Sequence, residues 1–238
     1  MKINIFKKGF NYSQDGPGNR LIYHLQGCNM ACRWCSNPES MPIDNTNSYD
    51  IDDLVLEAEK ALPMFFSGGG VTLTGGEPTV QFEAVREFYL KLKSRDINTA
   101  IETNGTHPNL SALFPLIDYL IMDFKHHNSD KLKEYTGVSN KTIIDNLSKI
   151  GNKWALIRIP LINNFNADSS DAEEFAKLFG KYNTENLNFE FLPYHEYGKV
   201  KWESNNLEYK MEDAYITADT LALFEQIFHY HGLKTINT

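Results

Sequence analysis

The sequence predicts an α/β fold, an open, partial (β/α)6 TIM-like barrel with parallel strands. Three observations carry this. Apolar or β-branched runs alternate with helix-period segments about six times along the 238 residues, and repeated β–α alternation implies parallel strands with helices on the outer face. Six units are too few to close an eight-stranded barrel, so the sheet stays open. Unusual polar residues follow each strand, which is where parallel β/α folds collect their chemistry.

Leu21 to Leu25 is the first strand. Ile51 to Leu62 has helical spacing and an Asp-rich start, and Val71 to Thr74 is a β-branched strand. Val80 to Ser94 is a helix with apolar residues at Val85, Phe88, Tyr89 and Leu92. Asn98 to Glu102 and Tyr119 to Phe124 are strands, and Ser129 to Tyr135 and Lys141 to Ile150 are helices. Trp154 to Ile159 is a strand, followed by a helix over Ser170 to Tyr182 with Asp168, Ser169 and Ser170 as candidate caps. Leu187 to Leu192 is the sixth strand, Thr217 to His231 the last helix, and Lys234 to Ile236 a short final strand. Polar composition makes Pro42 to Asp50 a loop and Lys199 to Glu212 a surface connection. The run Ser67-Gly68-Gly69-Gly70 reads as a turn, since no Gly-Lys-Ser/Thr follows to make a phosphate cradle.

Hydrophobic content of 42% supports a real core, and the length suits one domain spanning 1–238. A net charge of −8 argues against nucleic-acid binding through a basic surface. No apolar run approaches the roughly 20 residues that span a bilayer. With no targeting segment in view, a reducing cytoplasm is the expected location.

The three cysteines, Cys28, Cys32 and Cys35, lie within eight residues as C-x3-C-x2-C. Three thiolates on one loop can hold three irons of a cubane cluster and leave the fourth iron open to a small molecule. A closed zinc site wants four ligands, and only His24 is near enough in sequence to be the fourth. A disulfide with a spare thiol suits a secreted chain instead.

The strand ends then line up. The cysteine loop follows the first strand. Thr74-Gly75-Gly76-Glu77-Pro78 follows the second, and Glu102-Thr103-Asn104-Gly105 the third. The fourth ends at Asp123-Phe124-Lys125, the fifth carries Arg158, and the sixth leads to Pro193-Tyr194-His195-Glu196. Gly75-Gly76 serves either a tight turn or the close approach of a ligand, with Glu77 helping to hold an ammonium. Asp123 and Lys125 either face the mouth together or form a plain ion pair. Arg158 in an apolar strand needs a partner, a ligand carboxylate or an acidic residue. His195 is a ligand-facing or an ordinary loop histidine. His107, His126, His127, His229 and His231 show no ligand spacing and read as surface residues. Trp34 either shields a cluster or packs on the barrel edge.

The C-x3-C-x2-C loop with Asn37-Pro38, and Gly75-Gly76-Glu77-Pro78 after the next strand, resemble the radical S-adenosylmethionine enzymes. Asp15-Gly16-Pro17-Gly18-Asn19-Arg20 resembles the glycyl-radical-enzyme activases, as do Ser67 to Thr72, Thr136 to Asn140 and Leu192 to Lys199. The resemblance implies a partial (β/α)6 barrel whose Cys28, Cys32 and Cys35 bind a [4Fe–4S] cluster. It implies that Asn37, Gly75, Gly76 and Glu77 line the amino-acid end of S-adenosylmethionine. Lys125 and Arg158 would hold its carboxylate and neighbouring groups, and His195 would meet the adenosyl part. Asp15 would sit near the glycine loop of the protein substrate. Glu102, Thr103 and Asp123, with the backbone near Ile121, match a monovalent-cation site (Na+ or K+), although the family carries Asp where this chain has Glu102. The cluster loop 28–35 comes without the cysteine-rich ferredoxin-like insert of many such activases. The implied activity is reductive cleavage of S-adenosylmethionine and hydrogen abstraction from a backbone glycine. The implied partners are a glycyl radical enzyme, pyruvate formate-lyase or another, and flavodoxin or ferredoxin as electron donor to a monomer. A radical enzyme acting on a small molecule and a zinc-binding scaffold are the competing classes.

Overall fold

The apolar runs of the sequence form an α/β structure around one mostly parallel, open sheet. A computed structural model describes residues 1–43 and 47–238. The strands are β1 (Lys2–Tyr12), β2 (Asn19–Leu25), β3 (Ser48–Asp50), β4 (Gly70–Gly75), β5 (Thr99–Thr103), β6 (Tyr119–Asp123), β7 (Ala155–Leu161) and β8 (Leu187–Pro193), in the order β3-β1-β2-β4-β5-β6-β7-β8. The helices are α1 (Ile51–Ala61), α2 (Phe82–Lys93), α3 (Ser129–Thr136), α4 (Lys141–Ser148), α5 (Ser169–Phe179), α6 (Lys199–Ser204) and α7 (Ala218–Tyr230).

All six expected strands form. Two more, β1 and β3, were not expected: β1 pairs antiparallel with both β2 and β3. Its pattern hid it. Ile3 and Ile5 point inward, but a register shift between Ile5 and Lys7 breaks the alternation, and residues 7–10 are exposed. The expected loop over Pro42 to Asp50 therefore ends in a strand, and its positions 44–46 lie outside the described residues. The surface connection over Lys199 to Glu212 contains the short helix α6. The expected final strand reduces to a single parallel bridge, Phe189 to Thr235.

The chain clusters into two compact units. One comprises Met1–Asn29 and Ser40–Ile121, the other Met30–Glu39 and Met122–Thr238. In the first, β2, β4 and β5 run parallel. Helix α2 covers them with Val85, Phe88, Tyr89 and Leu92, all fully buried, and each large apolar side chain sealed this way contributes about 1.5–3 kcal/mol. In the second, β7 and β8 run parallel. An aromatic core joins Phe124, Phe175 and Phe179 to Phe189 and Phe228, with Phe179 and Phe189 ring centroids 4.7 Å apart.

The helix ends follow local chemistry. Asp50 caps α1 through Asp52 N–H, and Asn128 caps α3 through Asp130 and Lys131 N–H. Of the three candidate caps before α5, Asp168 is the cap, in a reciprocal box with Asp171. Gly137 ends α3 at φ +86°, a left-handed conformation that glycine adopts without penalty.

Candidate functional site

In the first unit, the chain leaving β2 is zipped to the chain leaving β4. Gly76 N–H donates to Leu25 O at 2.9 Å, and Glu77 N–H to Gly27 O at 2.8 Å. A Cβ on Gly75 would stand 2.4 Å from Leu25 N, and one on Gly76 2.2 Å from Gly27 O. The two glycines are thus needed for the approach of one backbone to another. Cys28 directly follows this paired segment, with its N–H donating to Met41 O at 3.1 Å.

Glu77 is 1% exposed. Its carboxylate accepts from Thr79 N–H and hydroxyl, from Thr103 Oγ1–H at 2.7 Å and from Asn104 N–H at 2.7 Å. Burial pushes this carboxyl above its usual range, while those hydrogen bonds pull it back. The side chain is directed into the loop and braces its shape. The brace continues: Asn104 Nδ2–H donates to Asn29 Oδ1 at 2.9 Å, and Asn29 Nδ2–H to Thr106 Oγ1 at 2.6 Å. Asn29 and Asn104 therefore fix the residue next to Cys28, a role that sequence reasoning missed because the two are 75 positions apart. Glu102 is half-buried and accepts from Thr74 Oγ1–H at 2.7 Å.

Asp15 lies before β2, at the other end of that strand from the cysteine loop. Seven strand residues separate the two, roughly 20 Å of extended chain. Asp15 Oδ2 accepts from Asn11 Nδ2–H at 2.6 Å, and its carbonyl from Thr72 Oγ1–H at 2.7 Å. Beside it Arg20, 1% exposed, donates to Thr72 Oγ1, Pro17 O, Gly68 O, Asn98 Oδ1 and Val71 O. Burial lowers its pKa to about 10, so it stays charged at neutral pH. Arg20 locks the Asp15–Gly18 turn. An arginine opening an apolar strand was the signal for it.

In the second unit, the remainder of the cysteine loop lies along the end of α3. Ala31 N–H donates to Thr136 O at 2.9 Å and Arg33 N–H to Tyr135 O at 3.2 Å. The Arg33 guanidinium stands 4.3 Å from the Tyr135 ring centroid. Trp34 packs on Phe165 at 5.0 Å and on Tyr135 at 6.5 Å. Cys32 is buried, Cys28 and Cys35 are half-buried, and no disulfide joins them. Asn37 N–H points at Cys35 Sγ, 3.4 Å away. Burial raises the Cys35 thiol, while Asn37 N–H, Lys125 and Lys201 favour its thiolate.

Phe124 N–H donates to Arg158 O at 2.8 Å, which sets the end of β6 beside β7. Lys125, 9% exposed, pairs with Asp123 at 2.6 Å. Arg158 pairs with Glu190 across the β7–β8 register, Nε to Oε2 at 2.7 Å. The partner that a buried arginine requires is thus an acid of the neighbouring strand. Glu190 was missed, although an acid in the apolar run Leu187 to Leu192 was its signal. His195 is exposed and stacks on Tyr197 at 4.1 Å, and partial burial lowers its pKa.

His126 was expected at the surface and is buried. It lies between His127 and Phe165, with Asp171 Oδ1 2.7 Å from His127 Nε2. The two histidines and Asp171 come within metal-ligating distance of one another. Both His126 nitrogens are nonetheless taken by backbone: Nε2 lies 2.9 Å from Phe165 O, and Nδ1 accepts from Asn128 N–H at 3.0 Å.

A sequence model of the radical SAM superfamily matches residues 22–179. The pyruvate formate-lyase 1-activating enzyme of Escherichia coli (strain K12) is 34% identical over 210 residues, covering 83% of each chain. The 4-hydroxyphenylacetate decarboxylase activating enzyme of Clostridioides difficile (strain CD196) is 29% identical, covering 92% of this chain and 90% of that one. A domain of a pyruvate-formate lyase-activating enzyme from Bacteroides vulgatus ATCC 8482 has a TM-score of 0.60 at 24% identity, over 71% of this chain and 98% of that chain. These solved coordinates bear on the fold.

Proposed function

Because this chain belongs to the radical SAM superfamily, we propose that it activates a glycyl radical enzyme, with pyruvate formate-lyase as the target. The observation that carries the chemistry is the donor set: all three thiols of the chain lie in one eight-residue loop leaving β2. That set suits a [4Fe–4S] cluster with one open iron and falls one ligand short of a closed zinc site. Held by Cys28, Cys32 and Cys35, such a cluster would supply the one electron for reductive cleavage of S-adenosylmethionine to methionine and a 5′-deoxyadenosyl radical, which would take a hydrogen atom from a glycine Cα and end as 5′-deoxyadenosine.

The chain's own residues bind and orient. Cys28, Cys32 and Cys35 ligate iron. Lys125 and Arg158 present cations to the ligand's carboxylate and neighbouring groups, and their acid partners Asp123 and Glu190 hold them in place. Asn37, with the backbone of Gly75 and Gly76, receives the amino-acid end, and Glu77 shapes that backbone from behind. His195 and its Tyr197 stack receive the adenosyl part. Glu102, Thr103 and Asp123 offer oxygens to a monovalent cation. Asp15 meets the glycine loop of the protein substrate from the far end of β2. The whole of 1–238 serves as one catalytic domain, acting as a monomer with flavodoxin or ferredoxin as donor. The likeness to a 4-hydroxyphenylacetate decarboxylase activating enzyme over 92% of this chain supports a second target of the same kind.

The test is anaerobic reconstitution with iron and sulfide, reduction, and addition of S-adenosylmethionine with purified pyruvate formate-lyase, followed by electron paramagnetic resonance. A glycyl doublet on the lyase is the expected result. Cleavage without the doublet removes the target assignment and leaves the chemistry.

A further inference from the structure

The segment after β8 grips the cysteine loop at three points, all inside the second unit. Trp202 Nε1–H donates to the Cys35 carbonyl at 2.8 Å, across 167 positions of sequence. Lys201 Nζ–H donates to Asn37 Oδ1 at 2.6 Å and stands 3.1 Å from a Glu39 carboxylate oxygen. Gly198 has φ −81°, open to any residue. Yet a Cβ there would meet Cys35 O at 2.4 Å and Ser36 Cα at 2.8 Å. Only the closeness of the two backbones demands glycine.

The grip is itself anchored. The Trp202 ring packs edge-on against Tyr209 at 5.8 Å, and Tyr209 shares a hydroxyl hydrogen bond with Tyr194 at 2.7 Å. Tyr194 is buried just past the end of β8 and ties back to β7 through its N–H to Leu161 O at 3.0 Å. A six-residue helix with no buried residue of its own thus reaches from the sheet edge to the loop.

We propose that Gly198–Trp202 is a clasp for the iron–sulfur cluster, in which Trp202 and Lys201 are positioning residues that hold the Cys35–Asn37 arc in its ligating conformation and bias the redox equilibrium. The proposal rests on Cys28, Cys32 and Cys35 being the cluster ligands. Groups that hold metal ligands from behind typically change metal affinity 10–100-fold when removed. Hydrogen bonding, charge and solvent exposure around a cluster set its potential. Trp202 fixes the Cys35 peptide plane. Lys201 places a positive charge beside the loop, which favours the more anionic, reduced cluster.

Two variants of the full chain separate these effects. Trp202→Phe removes the N–H and keeps the ring on Tyr209. Lys201→Met removes the charge and keeps the stem. After anaerobic reconstitution, three quantities are read: the rate of iron loss to a chelator, the midpoint potential, and thermal unfolding. Trp202→Phe should lose iron about tenfold faster at an unchanged unfolding temperature. Lys201→Met should shift the reduction equilibrium toward the oxidised cluster by up to tenfold, about 59 mV for one electron, and Lys201→Arg should restore it. Iron release within twofold of wild type in Trp202→Phe, with an unmoved potential in Lys201→Met, overturns the clasp. A wild-type chain that takes up no [4Fe–4S] cluster overturns the ligand assignment itself, before any variant is made.

Discussion

Arg158 on β7 and Glu190 on β8 stand opposite each other in the parallel ladder, Nε to Oε2 at 2.7 Å, with both side chains less than a tenth exposed. Thr238 completes the pair by donating its N–H and hydroxyl to Glu190 Oε1. A buried ion pair is weak evidence for net stability, but breaking one partner leaves the other charge uncompensated.

Glu190→Gln should therefore cost about 3 kcal/mol in urea unfolding. The double variant Arg158→Met, Glu190→Met should recover most of it, because two apolar side chains of similar volume need no counter-charge. If Arg158 contacts the ligand, that recovered fold will still bind S-adenosylmethionine poorly by calorimetry. Wild-type affinity in the double variant would remove Arg158 from the site.

Glu77→Gln keeps the shape of the side chain and places an amide N–H₂ where only acceptors are wanted. The donors of Thr79, Thr103 and Asn104 converge on that carboxylate. The expected cost is about 2–3 kcal/mol, the range for hydrogen bonds to a charged group lost in a buried site. Asn104→Ala should loosen the same loop and also free Asn29. Unfolding and ligand affinity measured together check this: a Glu77→Gln chain as stable as wild type would contradict the brace.

His126 gives the fold a pH dependence. Burial, with the neighbouring His127, lowers its pKa to about 4. The unfolded chain takes up the proton near pH 6.5, so between 6.5 and 4 the unfolded state holds more protons and stability falls as pH drops. The loss reaches about 3 kcal/mol at most. Protonated Nδ1 would also face the Asn128 N–H at the α3 cap as donor against donor. His126→Gln should flatten the stability profile over that window, as read by urea unfolding at pH 7, 5.5 and 4.5.

Cys32→Ala should abolish S-adenosylmethionine cleavage and lower bound iron, with the far-ultraviolet circular dichroism spectrum preserved. The thiol is buried beside Met30 Sδ at 3.9 Å, so its loss leaves only a small cavity. Normal cleavage by this variant would contradict the cluster assignment.

What could be read from the chain alone is what local pattern encodes. Six strands announced themselves by β-branched runs bounded by polar ends, and α2 by the spacing of Val85, Phe88, Tyr89 and Leu92. The three cysteines needed only to be close in sequence. β1 escaped because its bulge and its exposed Lys7, Lys8 and Gly9 erase the period-2 signal.

Partner choice was the part that only the tertiary structure decided. The sequence required some partner for Arg158, and folding selected Glu190. It left Gly75 and Gly76 as either a tight turn or a place for a ligand to approach, and in the fold it is the backbone of Leu25 and Gly27 that comes close. It placed Glu77 at a strand end, and the loop turned the carboxylate inward. Trp202 looked like an aromatic in a polar surface stretch until Cys35 came within hydrogen-bond reach. Each of these depends on residues tens to more than a hundred positions apart, whose meeting is set by how strands order in the sheet, and no spacing along the chain carries that information.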